Sequence, residues 1–292
     1  MRRSVILLLA LALVHSPQAR AQRLRLVHFT SDTSSFNVGS TLILGPTEAI
    51  LVDAQYHWAD AQREADSIAR LGTHLKAIFI THGDEDHYMG ASAFVERFPG
   101  TPVYMTAAGI TWLKRIMAPF MARQPKDWPP GSPDSLVTPQ LLPSTSLTVD
   151  GEQVEIVADQ QGDAYQQSNS FVWIPSLQAV LADDIVFNQV HPWLAASDTT
   201  TRQRWHQSLV RIAALHPRIV IASHKKSPDT PDTPDVVQAM DRYLSDFDAA
   251  LKASPNADAL VAAMKAKYPD YAIPVLLVYS ARSAFAPKRT SE

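Results

Sequence analysis

Between Ala77 and Gly90 the chain reads AIFITHGDEDHYMG, which sets His82, Asp84, Glu85, Asp86 and His87 within six positions, directly after an apolar run. Two imidazoles and three carboxylates packed this closely repel or compete unless a positive charge sits among them. A metal ion is the natural occupant of such a donor set. Other His and Asp residues stand where further apolar runs stop. VEIVADQQG leads to Asp163, QAVLA ends at Asp183 and Asp184, and RIVIAS ends at His224. One histidine after a strand is usually structural. Four strand ends that deliver His or Asp, one of them as a dense cluster, point to a site gathered at the ends of strands, where α/β scaffolds collect their functional loops.

The elements that must position these residues follow from periodicity. LRLVHF, STLILG and AILVDA read as strands, the last ending at Asp53. HWADAQREADSIARLG reads as an amphipathic helix with Ala61, Ala65, Ile68 and Leu71 on one face and Gly72 as its stop. KAIFI is a buried strand, MGASAFVERFPG a helix closed by Pro99 and Gly100, and TPVYM a further strand. From Met117 to Pro143 the composition turns Pro-rich and aperiodic, which predicts an insertion or a loop lying over a site. Strands resume with SLTVD, QVEIVA, SFVWIP and QAVLA. A helix is expected near Thr200–Leu215, then the strand RIVIA, then helices near Thr233–Ala253 and Ala257–Lys267. The final APKRTSE reads as a frayed end. Strand–helix alternation of this kind indicates α/β layering.

Composition narrows the function classes. A chain of 292 residues, 46% hydrophobic, can bury a substantial core, and a net charge of -3 gives no footing for nucleic acid or an anionic membrane as partner. MRRSVILLLALALVHSPQARAQ has two arginines, an apolar run of about ten residues and the small-x-small pattern Ala19-Arg20-Ala21. Residues 1–21 are therefore expected to be a secretory signal peptide. The run is well short of the roughly 20 residues that span a bilayer. The mature chain, 22–292, is expected to be a single domain, periplasmic or secreted, free of the membrane and acting on a small molecule. It has no cysteine, so any metal site must be built from His, Asp and Glu.

These motifs resemble those of the metallo-β-lactamase-fold hydrolase superfamily. FNVGSTLILGPTEAILVDAQ is similar to its opening hairpin and the Asp that ends the next strand, THGDEDHYMG to its His-x-His-x-Asp-His signature, LADDIVF to its Gly-Asp strand end and IASHK to its final Gly-His. The resemblance implies an αββα sandwich with one or two metal ions, usually zinc, at one edge between two sheets. It also implies the ligands. Asp86, His87 and His224 match one site, His82, Asp84 and Asp163 the other, and Asp184 matches the shared ligand. Two positions depart from the family pattern, since Asp84 and Asp163 stand where relatives have His. Both changes fall on the same metal.

Carboxylate oxygen is a harder donor than imidazole nitrogen, so the altered site is expected to take Zn, Mn or Fe, while zinc is expected at Asp86/His87/His224. A single ion at the unaltered site, or a decayed site, are the alternatives. The implied reaction is hydrolysis of an ester, lactone, amide-like, thioester or phosphoester bond by a metal-bound hydroxide, with Asp86 orienting it and relaying its proton. Rivals from other classes are an Fe-dependent oxidoreductase and a catalytically inactive exported metal-binding protein. His191, just after Asp184, is a candidate proton donor. Trp193, Trp128 and Phe120 are candidates for the wall of a substrate pocket, Tyr88 reads as core, and His28, His57, His74, His206 and His216 as structural or surface residues.

Overall fold

A computed structural model describes residues 24–122, 135–164 and 166–286. The expected signal peptide, Trp128 and the side chain of Phe120 lie outside the described residues. In the first half, β1 (Arg25–Thr30), β2 (Gly39–Leu44) and β3 (Glu48–Val52) pair antiparallel. The sheet then continues in parallel through β4 (His74–Ile80), β5 (Val103–Met105) and β6 (Gln140–Leu141). Parallel neighbours need crossovers. These are α1 (Trp58–Ala69), the short α2 (Glu85–Tyr88) with α3 (Ala91–Arg97), and α4 (Ala107–Met121). The second half builds another sheet from β7 (Ser146–Val149), β8 (Glu152–Gln160), β9 (Asn169–Ile174) and β10 (Ala179–Leu181). After β11 (Phe187–Asn188) and α5 (Thr199–Ala214), β12 (Ile219–Ile221) joins it beside β10, giving the order β12-β10-β9-β8-β7. β13 (His224–Lys225) pairs with β11, and α6 (Asp235–Ala253), α7 (Ala257–Lys267) and α8 (Pro274–Phe285) follow.

Side-chain alternation shows how the layers stack. Leu42, Leu44, Leu51, Ile78 and Ile80 pack outward against Ala61, Ala65 and Ile68 of α1 and Phe94 of α3. Their strand neighbours Ile43, Ile50, Val52, Ala77 and Phe79 point the other way, onto Val154, Ile156, Val172, Ile174 and Leu181 of the second sheet. That sheet alternates as well: Phe171, Val180 and Val220 face Trp205, Leu209 and Ile212 of α5 and Met240, Leu244 and Phe247 of α6. Strands covered on both faces read as continuous apolar runs in the sequence, while the period of two still sorts them between layers. The architecture is the αββα sandwich expected from the sequence.

Two of the longer helices depart from the sequence reading. α4 has no counterpart in it, and extends to Met121, taking in the first five residues of the segment that composition marks as an aperiodic loop, of which 123–134 lies outside the described residues. Pro119 falls in its last turn, where a missing N–H and a displaced carbonyl disturb only the helix end. α8 falls where the sequence reading has only tail. Pro274 sits at its first turn, where proline is pre-shaped for a helix start, and Leu276, Leu277, Ser280 and Ala281 bury one face.

Candidate metal centre

Five strand ends open onto one edge of the sandwich. β3 runs out at Asp53, β4 at Thr81 and His82, β8 at Gly162 and Asp163, β10 at Asp183 and Asp184, and β12 at Ser223 and His224. Asp84 is the N-cap of α2, which carries Asp86 and His87 on its single turn. Close backbone approach makes this compact. A Cβ on Gly162 would lie 2.8 Å from the Asp184 carbonyl oxygen and 2.9 Å from Asn169 Cγ, so only glycine lets Asp163 come beside Asp184. A Cβ on Gly83 would lie 2.5 Å from the backbone nitrogen of Leu113, which seats α4 against the loop of His82 and Asp84.

The three imidazoles share one arrangement. His82 Nδ1 lies 2.9 Å from Asp183 Oδ1, His87 Nδ1 3.1 Å from Asp53 Oδ2, and His224 Nδ1 2.8 Å from the Phe36 carbonyl oxygen. Each Nδ1–H thus has an oxygen to donate to, and each Nε2 lone pair is left for the centre of the cluster. Nε2 of His82 and of His87 is buried without a hydrogen-bond partner. A buried orphan of this kind requires a partner, and a cation would supply one.

Donor spacing agrees. Nε2 of His224 is 3.3 Å from Asp86 Oδ2 and 3.4 Å from Asp184 Oδ1, and Nε2 of His87 is 3.3 Å from Asp184 Oδ1 and 3.8 Å from Asp86 Oδ1. Ligands about 2.0–2.1 Å from a tetrahedral ion stand about 3.3 Å apart. The second group is slightly wider, with His82 Nε2 3.6 Å from Asp84 Oδ2 and 3.8 Å from Asp163 Oδ1. Both triads, Asp86/His87/His224 and His82/Asp84/Asp163, are compact enough to hold an ion, and Asp184 also lies close to His82 and His87. The residues present fit the metal that the donor chemistry asks for.

Electrostatics make the same case. Burial presses Asp163 well above the usual carboxylate range, and Asp184 and Asp84 push it further. Burial opposes the charge on His224, yet Asp184 and Asp86 raise it to about 10. His82 and His87 are likewise raised well above an ordinary histidine against the effect of burial, His82 by Asp183 and Asp84 and His87 chiefly by Asp184. The cluster therefore gathers protons until a cation displaces them.

Several contributors have roles that the sequence reading does not assign. Asp183 accepts from Thr81 Oγ1 at 2.7 Å and from Asn169 Nδ2 at 3.1 Å, and its left-handed backbone (φ 53°) turns it toward His82 while Asp184 faces His87 and His224. Asp53 has the same unusual conformation (φ 62°) beneath His87. A His ligand needs a fixed acceptor for its other nitrogen, and that rule would have singled out both acids. Trp112 of α4 donates from Nε1 to Asp84 Oδ1, a partner that no local signal betrays. Ser223 donates to Asp184.

The mouth of the site is a cleft of about 190 Å³, lined by Asp84, Glu85, Asp86, Asp163, Asp184 and His224 and walled by Phe36, Phe187, Trp193 and Leu276. Trp193 is thus placed as a wall. His191 is not brought to the cluster. Its Nδ1 is 2.7 Å from the Tyr243 hydroxyl, its ring packs on Tyr243 and Tyr271, and burial lowers it to about 4, so it is a neutral, buried residue outside the lining of the cleft. The backbone explains this: the His191 N–H is tied to the Ala272 carbonyl, turning the segment toward the start of α8. Tyr88 is core, its hydroxyl donated to the Val137 carbonyl.

Comparison with known proteins gives the same picture. The family model of the metallo-beta-lactamase superfamily matches residues 36–224. Among solved structures, a metallo-beta-lactamase family protein from Thermus thermophilus superposes with a TM-score of 0.63 at 17% identity, covering 89% of this chain and 91% of that one. A beta-lactamase domain protein from Burkholderia ambifaria gives 0.64 at 14% identity, covering 89% and 84%. A metallo-beta-lactamase from Pontibacter korlensis gives 0.55 at 17%, covering 76% and 94%. At these identities the likeness is one of fold. No curated protein matches the sequence.

Proposed function

Taking as premise that the chain belongs to the metallo-β-lactamase superfamily, we propose that it is a metal-dependent hydrolase acting on an ester, lactone, amide-like, thioester or phosphoester bond. The observation that carries this reading is the common arrangement of His82, His87 and His224. Each commits Nδ1 to a fixed oxygen and leaves Nε2 to a centre rimmed by Asp84, Asp86, Asp163 and Asp184. Asp86, His87 and His224 would hold one ion, with zinc suited to that donor set, and His82, Asp84 and Asp163 a second, with Asp184 between them. Such ions lower the pKa of water and polarise a carbonyl or phosphoryl oxygen.

The chain's own groups do the rest. Asp86, on the single turn of α2 in the lining of the cleft, can orient an attacking water and take its proton. Asp183 and Asp53 hold His82 and His87 in the tautomer that presents Nε2. Phe36, Phe187 and Trp193 orient the apolar part of a substrate and exclude bulk water from the reacting end. With His191 outside the lining of the cleft, the leaving group would draw its proton from Asp86 or from solvent. Exhaustive chelation should abolish hydrolysis across a panel of such substrates, and refilling with zinc or manganese should restore it. Full activity in protein shown by elemental analysis to be free of metal would end the proposal.

A further inference from the structure

The charge balance of the cleft bears on what it can admit, an inference that rests on the hydrolase reading. The lining contains five carboxylates, those of Asp84, Glu85, Asp86, Asp163 and Asp184, and no Lys or Arg among the described residues. Two divalent ions would bring four positive charges, which the four Asp cancel before Glu85 or a nucleophile is counted. With His at the Asp84 and Asp163 positions, the same centre would keep a net charge of +2 and attract anions. With a single ion the excess is negative. Glu85 has no ion-pair partner among the described residues, and it stands at the mouth on α2, facing the same opening as the aromatic walls Phe36 and Trp193.

We propose that the site selects substrates with no negative charge near the scissile bond, preferring a cationic ammonium-bearing acyl ester or amide to a neutral one and a neutral one to an anion, with Glu85 as the selecting residue. Phosphoesters and carboxylate-bearing substrates are thereby disfavoured. The aromatic walls suit the cation, since an ammonium over an aromatic face is attracted by the ring. A unit charge a few ångströms from carboxylates in a partly solvated cleft alters affinity by roughly tenfold, and salt screens the effect.

The test uses zinc-loaded full-length protein at pH 8 and three nitrophenyl esters of equal acyl length ending in trimethylammonium, tert-butyl or sulfonate. Expected values of kcat/KM fall in that order, by about tenfold or more from first to last, and the spread narrows in high salt. Glu85→Gln should narrow it as well, by weakening the ammonium ester and improving the sulfonate ester. A sulfonate ester cleaved as well as the ammonium ester, or a spread unmoved by Glu85→Gln, overturns the proposal. Binding of phenyltrimethylammonium and benzenesulfonate, followed calorimetrically on the same zinc-loaded protein, is independent of turnover. If no ester is cleaved the hydrolase reading loses its ester branch, yet tighter binding of the ammonium compound still sustains the charge selection. Equal binding, tighter sulfonate binding or no binding of either overturns it.

Discussion

At the scale of single residues, the acids that hold the histidines matter as much as the ligands. Asp183 and Asp53 fix His82 and His87 through Nδ1, on the side of each ring away from Nε2. Asp183→Asn or Asp53→Asn should therefore weaken metal binding by about 10–100-fold while leaving the donor set intact, as read from competition with a chromophoric chelator. An unchanged affinity would mean that packing alone orients the rings. Protons give a second test. His224 without a cation keeps its proton up to about pH 10, held by Asp184 and Asp86 against burial. A bound ion needs the neutral ring, so binding at pH 7.5 should release at least about one proton, and affinity should rise with pH by about tenfold per unit for each proton released. Calorimetry in buffers of different ionisation enthalpy counts those protons, and a count of zero would contradict the cluster described here.

At the scale of elements, the helices act through buried contacts that the sequence only half discloses. Glu64 of α1 is buried against β2, accepting from Ser40 Oγ at 2.6 Å and from Gln55 Nε2 at 3.0 Å, and burial raises its carboxyl to about 8. A raised acid means that the folded chain holds a proton the unfolded chain has lost between about pH 4.5 and 8, so stability falls as pH rises through that window. At about 1.4 kcal/mol per unit, the loss attributable to this residue is up to about 5 kcal/mol. Glu64→Gln should remove most of this slope, measured by denaturant unfolding at pH 5 and pH 8, and an unchanged slope would place the pH dependence elsewhere. Between the sheets, Phe79 is enclosed by both, so Phe79→Ala should cost about 3–5 kcal/mol. Val210→Ser on α5, 65% exposed, should change stability by less than about 0.5 kcal/mol.

At the scale of the whole molecule, the sandwich forms around an inter-sheet layer that owes nothing to the metal edge. Strands covered on both faces announce themselves as apolar runs, so β2, β3, β4 and β9 were legible in the sequence, and their polar ends with them. The seven ligand candidates were legible as well, because each follows such a run or sits in the dense cluster, and the structure brings all seven to one edge. What local pattern could not say was where a side chain turns after its strand. Asp183 and Asp184 are equal in sequence, and a left-handed backbone at Asp183 divides their tasks. His191 follows the same strand end, yet its segment is drawn toward α8, a helix itself overlooked although Pro274 marks its start. Since the core is independent of the edge, stripping metal should leave the fold in place by circular dichroism. The most direct test of the account is the number of ions per chain in protein refilled and freed of excess metal. The wild type should hold two, with Asp84→Ala and Asp163→Ala each holding one; a wild type holding one ion, with a count unchanged in both variants, would contradict the paired centre.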